Sequence, residues 1–406
     1  MRLTAGLARA SLILIARAFL GLAGLALVSL SASAQSDTAA RLAERLKGSG
    51  TSLRISVKQA VQIGLASEGN ARIQIAEEII RQTEQQKAQV RAALLPDVEA
   101  SISDQSETRN LAAFGIQINI PIPGFSFPRL AGPFSNFDAR TTVTQSVFDI
   151  SSIRRFQASQ ASVSAAQADS DDAKDQVSTD IAAAYLAAQR AEASLSAIKA
   201  NIALAEALEK LAINQKNAGV GTGLDVTRAR VQLANERQRL LVAENDVTES
   251  HLRLLKAVNL DLGTPLELED ALTFTPPEPL TVDDALKTAL QQRPNLKAQV
   301  LRERNAELNY SATKLERVPS VVAFGDYGSN GTGLNNSLPT RTYGFSVRVP
   351  VFDGGRRDAR RAETMSVLQQ QQIRTKDLQQ QVQLEVRVAL DALKSAAEEV
   401  KVAEEG

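Results

Sequence analysis

Apolar and polar positions change their spacing along this chain in an order that occurs twice. Ile55-Ser-Val-Lys-Gln-Ala-Val and Leu280-Thr-Val-Asp-Asp-Ala-Leu each open a stretch of helical spacing. Each predicts a long polar helix that stops at Pro96 or Pro319, because proline has no N–H to continue a helix. Period-two alternation follows near 97–106 and 139–148, and again near 320–328 and 341–352, which predicts two strands per copy. In the last segment Tyr343, Phe345, Val347, Val349 and Val351 alternate with Gly344, Ser346, Arg348 and Pro350. Val98, Ala100 and Ile102, Val143 and Val147, and Val321, Ala323 and Tyr327 keep the same parity when the copies are superimposed by their prolines and their Phe148-Asp149 and Phe352-Asp353 pairs. A slip of one residue would invert every face, so the agreement marks one repeated unit of helix, two strands and helix.

After each Phe-Asp pair the spacing returns to helix for a long run. No proline or glycine interrupts Ile150 to Asn217, enough for one helix of roughly 100 Å at about 1.5 Å per residue. Ile181, Ala184, Ala188, Ala191, Leu195, Ile198, Ile202 and Ala205 form a coiled-coil seam, and Ala193, Ser196, Ala200, Ala203 and Ala207 form a second on nearly the opposite side. A helix held between two neighbours in a wall needs both. Val382, Val386, Ala389, Leu393, Ala396, Val400 and Ala403 repeat part of this in the second copy.

Strands of about ten residues, apolar on one face and polar on the other, suit a lipid-facing barrel wall with a wet interior. Four strands cannot close a barrel, and open edges in lipid would leave N–H and C=O groups unpaired. Other copies of the chain must supply the rest. The loops Glu107–Asp138 and Ser329–Pro339 would face the cell exterior.

Composition narrows the picture. Arg2, Arg9 and Arg17 precede an apolar stretch from Ala18 to Leu30 ending in Ala32-Ser33-Ala34, the form of a signal peptide cleaved after Ala34. There is no cysteine, hence no disulfide, lipid-bearing cysteine or thiolate metal site. Basic and acidic residues number 46 each, so nothing draws the chain toward nucleic acid. Aromatic residues make up 4% of the chain, which fits alanine-rich helix contacts better than one large core. The expected organisation is a signal peptide (1–34), a leader (35–54), a first repeat (55–275) with a helical hairpin over 150–260, and a second, incomplete repeat (276–406). Pro276-Pro277-Glu278-Pro279 would be the hinge between repeats. The fold class is mainly α with a transmembrane β-barrel portion, internally duplicated.

Candidate chemistry is sparse. His251 is the single histidine and has no partner at metal-ligand spacing; Asp169, Asp171 and Asp172, and Glu398 with Glu399, read as solvated faces or as tunnel-lining carboxylates that attract cations. No nucleophile elbow or triad is present, so no enzyme, cofactor or metal site is expected. Asn217-Ala-Gly219-Val-Gly221-Thr-Gly223-Leu-Asp225-Val226 follows a helix and not a strand, which argues against a phosphate cradle. It reads as a tight helix-to-helix turn, with Gly219 closing the incoming helix and Thr222 or Asp225 capping the outgoing one, at the periplasmic end of the rod.

The duplicated order, the Leu95-Pro96 break, the Phe352-Asp353-Gly354-Gly355-Arg356 step and the Gly219–Val226 turn together resemble the TolC-like outer-membrane efflux proteins. The resemblance implies a homotrimer in the outer membrane whose twelve strands form one barrel, continuous with a long coiled-coil helical barrel that extends into the periplasm. It implies an exit duct, serving a tripartite efflux pump or a type I secretion system, with a periplasmic adaptor protein and an inner-membrane efflux pump or ABC exporter as partners and outer-membrane lipid around it. It also implies that Gly219, Val220, Gly221, Thr222, Gly223 and Leu224 contact the adaptor. Three glycines in that turn depart from the commoner pattern. The turn lies roughly 70 residues beyond Phe148, and the same offset from Phe352 passes Gly406, so the closing hairpin of the second repeat, with its gate, is expected to be missing by truncation. Two other readings stay open from the residues: a secreted coiled-coil structural protein and a stand-alone diffusion porin.

Overall fold

The computed structural model of the chain describes residues 53–66, 69–114, 130–274, 276 and 280–405, the side chains of Ala112 and Phe114 excepted. The expected signal peptide, the expected leader up to residue 52, the centre of the expected 107–138 loop and most of the expected 276–279 hinge lie outside the described residues. In chain order the elements are β1 (Leu53–Ile55), α1 (Val57–Leu65), α2 (Ala71–Ala92), β2 (Asp97–Asn110), β3 (Leu130–Phe148), α3 (Ile150–Asn217), α4 (Gly223–Val258), β4 (Leu266–Leu268), α5 (Val282–Gln292), α6 (Pro294–Leu315), β5 (Ser320–Gly331), β6 (Ser337–Arg348) and α7 (Arg356–Glu405). Short 3-10 turns stand at Leu111–Phe114 and Leu334–Asn336.

Each of the two opening helical stretches is two helices and not one. Ser56 caps α1 through a box with Gln59, and Thr281 caps α5 by accepting from the Asp284 N–H at 3.2 Å. Asn70 restarts the first pair: its Oδ1 accepts from the Arg72 N–H at 2.9 Å, and its carbonyl accepts from the Gln74 N–H at 3.1 Å. Pro294 restarts the second at the first position of α6, where its missing N–H costs nothing. Both second helices end four residues before their prolines, at Ala92 and Leu315.

Two compact units are present, the first of residues 53–74 and 176–272, the second of residues 75–175 and 273–405. In the first, β1 and β4 pair in parallel, Leu53 opposite Leu266 and Ile55 opposite Leu268. Ile55, Ala60, Ile63, Ile73, Val177, Ile181, Tyr185, Leu254 and Val258 form its core. The Tyr185 hydroxyl donates to the Ile55 carbonyl at 3.0 Å and accepts from the Asp270 N–H at 3.2 Å. That buried hydroxyl thus joins the ends of two segments on one helix, and burial pushes its pKa up. Helices α3 and α4 are cross-linked along their lengths by Arg230–Glu209 at 3.0 Å and Arg237–Glu206 at 3.1 Å.

The second unit holds a four-stranded antiparallel sheet in the order β2-β3-β5-β6, so β3 and β5 join the two halves of the sequence. The strands outrun expectation: residues 107–110 and 130–138, read as loop, continue the β2–β3 ladder, and 329–331 pairs with 337–339. The final strand stops at Arg348 and not near 352. Its next pair would set Val349 opposite Pro319, which has no N–H to donate. Helix α6 packs along α7 with Leu296, Ala298, Ala306, Leu368 and Val382 buried. Asn305 ties α6 to α3, donating to the Ala158 carbonyl at 2.7 Å and to Ser162 Oγ at 2.8 Å.

Candidate functional site

The turn between α3 and α4 brings all six sequence-predicted residues together. Gly219 closes α3 in the left-handed conformation, with φ of 81°. The Val220 N–H reaches back to the Gln215 carbonyl at 3.0 Å and the Gly219 N–H to the Lys216 carbonyl at 3.0 Å. This paired arrangement satisfies carbonyls that the last helical turn would leave open. Gly221 does a different job: a Cβ there would come within 3.0 Å of Gln215 Cβ and the Lys216 nitrogen. Gly223 has open space and an ordinary φ. Thr222 caps α4, its hydroxyl accepting from the Asp225 N–H at 3.2 Å, while Asp225 accepts from the Thr222 hydroxyl at 2.6 Å and N–H at 3.0 Å. Thr222 is therefore the cap and Asp225 its partner. The hydroxyl and then the backbone bond from Thr222 hold the Asp225 carboxyl below the usual carboxylate range. Two apolar side chains stand out of the turn, Val220 at 80% exposure and Leu224 at 59%. The turn thus combines a closed set of backbone and side-chain hydrogen bonds with two exposed apolar side chains.

The sheet in the second unit has two chemically different faces. Residues directly opposite in an antiparallel ladder share a face. Val98, Val143, Gly325 and Tyr343 form one row, and Ala323–Phe345 and Val321–Val347 extend it. Val147 leaves this pattern: the ladder shifts after Ser146 and puts Phe148 opposite Val321, as an extra residue in one strand does. The other face carries Thr142, Asp326 and Thr342, with Arg140 beside them. Arg140 binds Asp138 through Nε at 2.7 Å and reaches Asp326 at 3.5 Å; Asn330 donates to Asn136 at 2.9 Å. This polar network joins β3 to β5, and sequence alternation showed only which side it would face.

The two alanine-rich seams of α3 differ in environment. Ile181, Ala188 and Ala205 of the first are buried and the rest half-buried, whereas Ala193, Ser196, Ala200, Ala203 and Ala207 of the second are all exposed. On α7, Val382 is buried and Val386 half-buried, while Ala389, Leu393 and Ala396 are exposed.

The remaining candidates resolve into structural pairs. His251 Nε2 lies 2.8 Å from Glu192 Oε1, so it bridges α3 and α4; the two are 59 positions apart in the chain, beyond any local spacing rule. Asp169 binds Arg302, Asp171 lies 3.6 Å from Lys174, and Glu398 takes Lys401 at 2.9 Å. An open groove in the second unit is lined by Arg155, Arg302, Asn305, Glu316, Arg360 and Gln371. Its arginines are paired within the chain, Arg155 and Arg360 with Glu316 and Arg302 with Asp169. Among the described residues no group of three His, Cys, Asp or Glu residues is arranged to hold a metal, and no helix is long and apolar enough to cross a membrane.

The sequence matches the family model described as outer membrane efflux protein over residues 62–260 and 285–406. No curated protein matches it by sequence. Among solved structures, the outer-membrane protein VceC from Vibrio cholerae is 16% identical with a TM-score of 0.72, covering 86% of this chain and 81% of its own. The CmeC outer-membrane channel from Campylobacter jejuni is 14% identical with a TM-score of 0.67, covering 86% and 74%. The MtrE outer-membrane channel from Neisseria gonorrhoeae, in its open state, is 17% identical with a TM-score of 0.61, again covering 86% and 74%. At these identities the likeness is one of fold.

Proposed function

The chain belongs to the outer membrane efflux protein family, and from that premise we propose that it is one subunit of an outer-membrane exit duct, passive and driven by an inner-membrane pump. Three copies close a barrel of twelve strands in the outer membrane, and their paired helices line a tunnel in the periplasm. The observation that carries this reading is the open four-stranded sheet, with one apolar face, one polar face and both edge strands unpaired among the described residues. In lipid each unpaired edge N–H or C=O costs several kcal/mol, which only further strands can relieve. The exposed second seam of α3 supports the same reading, since a wall of helices needs a neighbour there. In it the two sequence halves are copies of one unit: Val98–Val143 and Val321–Val347 pair at the same offsets from their prolines and Phe-Asp steps. The Gly219–Leu224 turn receives a periplasmic adaptor protein, with Val220 and Leu224 as apolar contacts.

Expression of the full chain with its leader, followed by outer-membrane fractionation and chemical cross-linking, tests the proposal. A detergent-requiring trimer that conducts in planar bilayers supports it. A water-soluble monomer, or loss of the β signal in circular dichroism, would overturn it.

A further inference from the structure

The charges on the sheet are divided between its two free edges. Among the described residues, every charged side chain on the sheet except five is paired within the chain: Asp138 and Asp326 take Arg140, and Glu107 takes Arg109. The five are Asp97, Glu99 and Asp104 on β2, and Arg341 and Arg348 on β6. One free edge is left acidic and the other basic. Two of the five, Asp104 and Arg341, lie on the apolar face; Asp97, Glu99 and Arg348 lie on the polar face.

When β6 of one copy meets β2 of the next in antiparallel pairing, a single register satisfies both faces. Setting Arg341 opposite Asp104 also sets Arg348 opposite Asp97, because both pairs are seven residues apart on their strands. The same register sets Tyr343 against Ile102, Phe345 against Ala100 and Val347 against Val98, apolar against apolar throughout. A competing register would repeat the β3–β5 pairing of Val143 with Gly325 and set Val347 against Ile102. It would put Asp104 opposite Phe345 and Arg341 opposite Thr108, leaving two charges unpaired on an apolar surface. Charge at such a position is strongly unfavourable in a barrel wall, and opposite charges facing each other across strands are favourable.

We propose that copies of this chain join β6 to β2 in the register fixed by Arg341–Asp104 on the lipid face and Arg348–Asp97 on the lumen face. The ion pairs reject slipped registers that backbone hydrogen bonding alone would tolerate. This rests on the assembly reading above, and the test separates the two. The chain has no native cysteine, so engineered pairs report without background. Full-length V98C/V347C, oxidised in membranes, is expected to run as cross-linked dimers and trimers on non-reducing gels, and I102C/V347C is not. D104R is expected to lower oligomer yield about ten-fold, and D104R/R341D to recover most of it. Cross-linking through I102C/V347C alone, or a charge swap that recovers nothing, overturns the register while leaving assembly standing. A chain that stays monomeric to an amine-reactive cross-linker overturns both.

Discussion

At the residue scale, three glycines in one turn have three different reasons to be there. Gly219 needs a left-handed backbone, Gly221 needs room, and Gly223 needs neither. Gly219→Ala is expected to destabilise the turn by about 1 kcal/mol; Gly223→Ala is expected to be neutral or to stabilise by about 0.5 kcal/mol. Hydrogen exchange of the 210–230 amides in the two variants measures both. Asp225 gives the turn a pH response. Its carboxyl is held below the ordinary range in the fold, so the stabilisation is complete above the unfolded carboxylate value of about 3.9 and is lost as pH falls below it. Protection factors at the α4 N-terminus, with the intrinsic pH dependence of exchange divided out, should therefore stay constant from neutral pH to about 4 and fall below that. Asp225→Asn should remove the dependence. The capping role was legible in the sequence because it depends on neighbours three residues apart. The His251–Glu192 and Tyr185–Asp270 bonds were not, because each joins distant segments whose meeting the fold decides.

Strands and helices were legible to different degrees. The period-two segments marked all four strands of the sheet, and the apolar parity named the shared face correctly except at Val147, where a bulge intervenes. Strand ends were misread because Phe-, Asn- and Gly-rich stretches look like loop, yet an antiparallel hairpin keeps pairing wherever partners remain opposite. The break between α1 and α2 was missed: the backbone turns extended at Ala66 and the chain restarts at Asn70. The face assignment has a direct test. Phe345→Arg, on the apolar face, should cost about 2–4 kcal/mol of barrel stability and reduce the membrane-inserted oligomer, whereas Ser346→Arg, on the polar face, should be tolerated. Heat-modifiable migration on gels distinguishes them; equal loss in both would place lipid on neither side.

For the whole molecule, the informative surfaces are those a single copy leaves uncovered. Seam spacing on α3 made two contact faces legible, but only the buried state of the first and the exposure of the second show which is used within the chain. Ala200→Leu is expected to leave the helical signal at 222 nm unchanged, since nothing among the described residues covers Ala200, and to reduce the yield of the proposed assembly several-fold by blocking close helix approach. A variant that assembles normally would exclude that face from the wall.

The β3–β5 ladder also governs when the sheet can form. It joins Phe137 to Gly331 and Phe148 to Val321, partners 194 and 173 positions apart, whereas α3 and α4 are close in sequence. Contacts of such long range are slow because the intervening chain must first be confined. The helical hairpin can collapse early, while the first strand pair can be extended into the sheet only once the second half of the polypeptide is present. Through that interval its apolar strands are exposed to water and prone to aggregate, so delaying the arrival of the second half should raise aggregation.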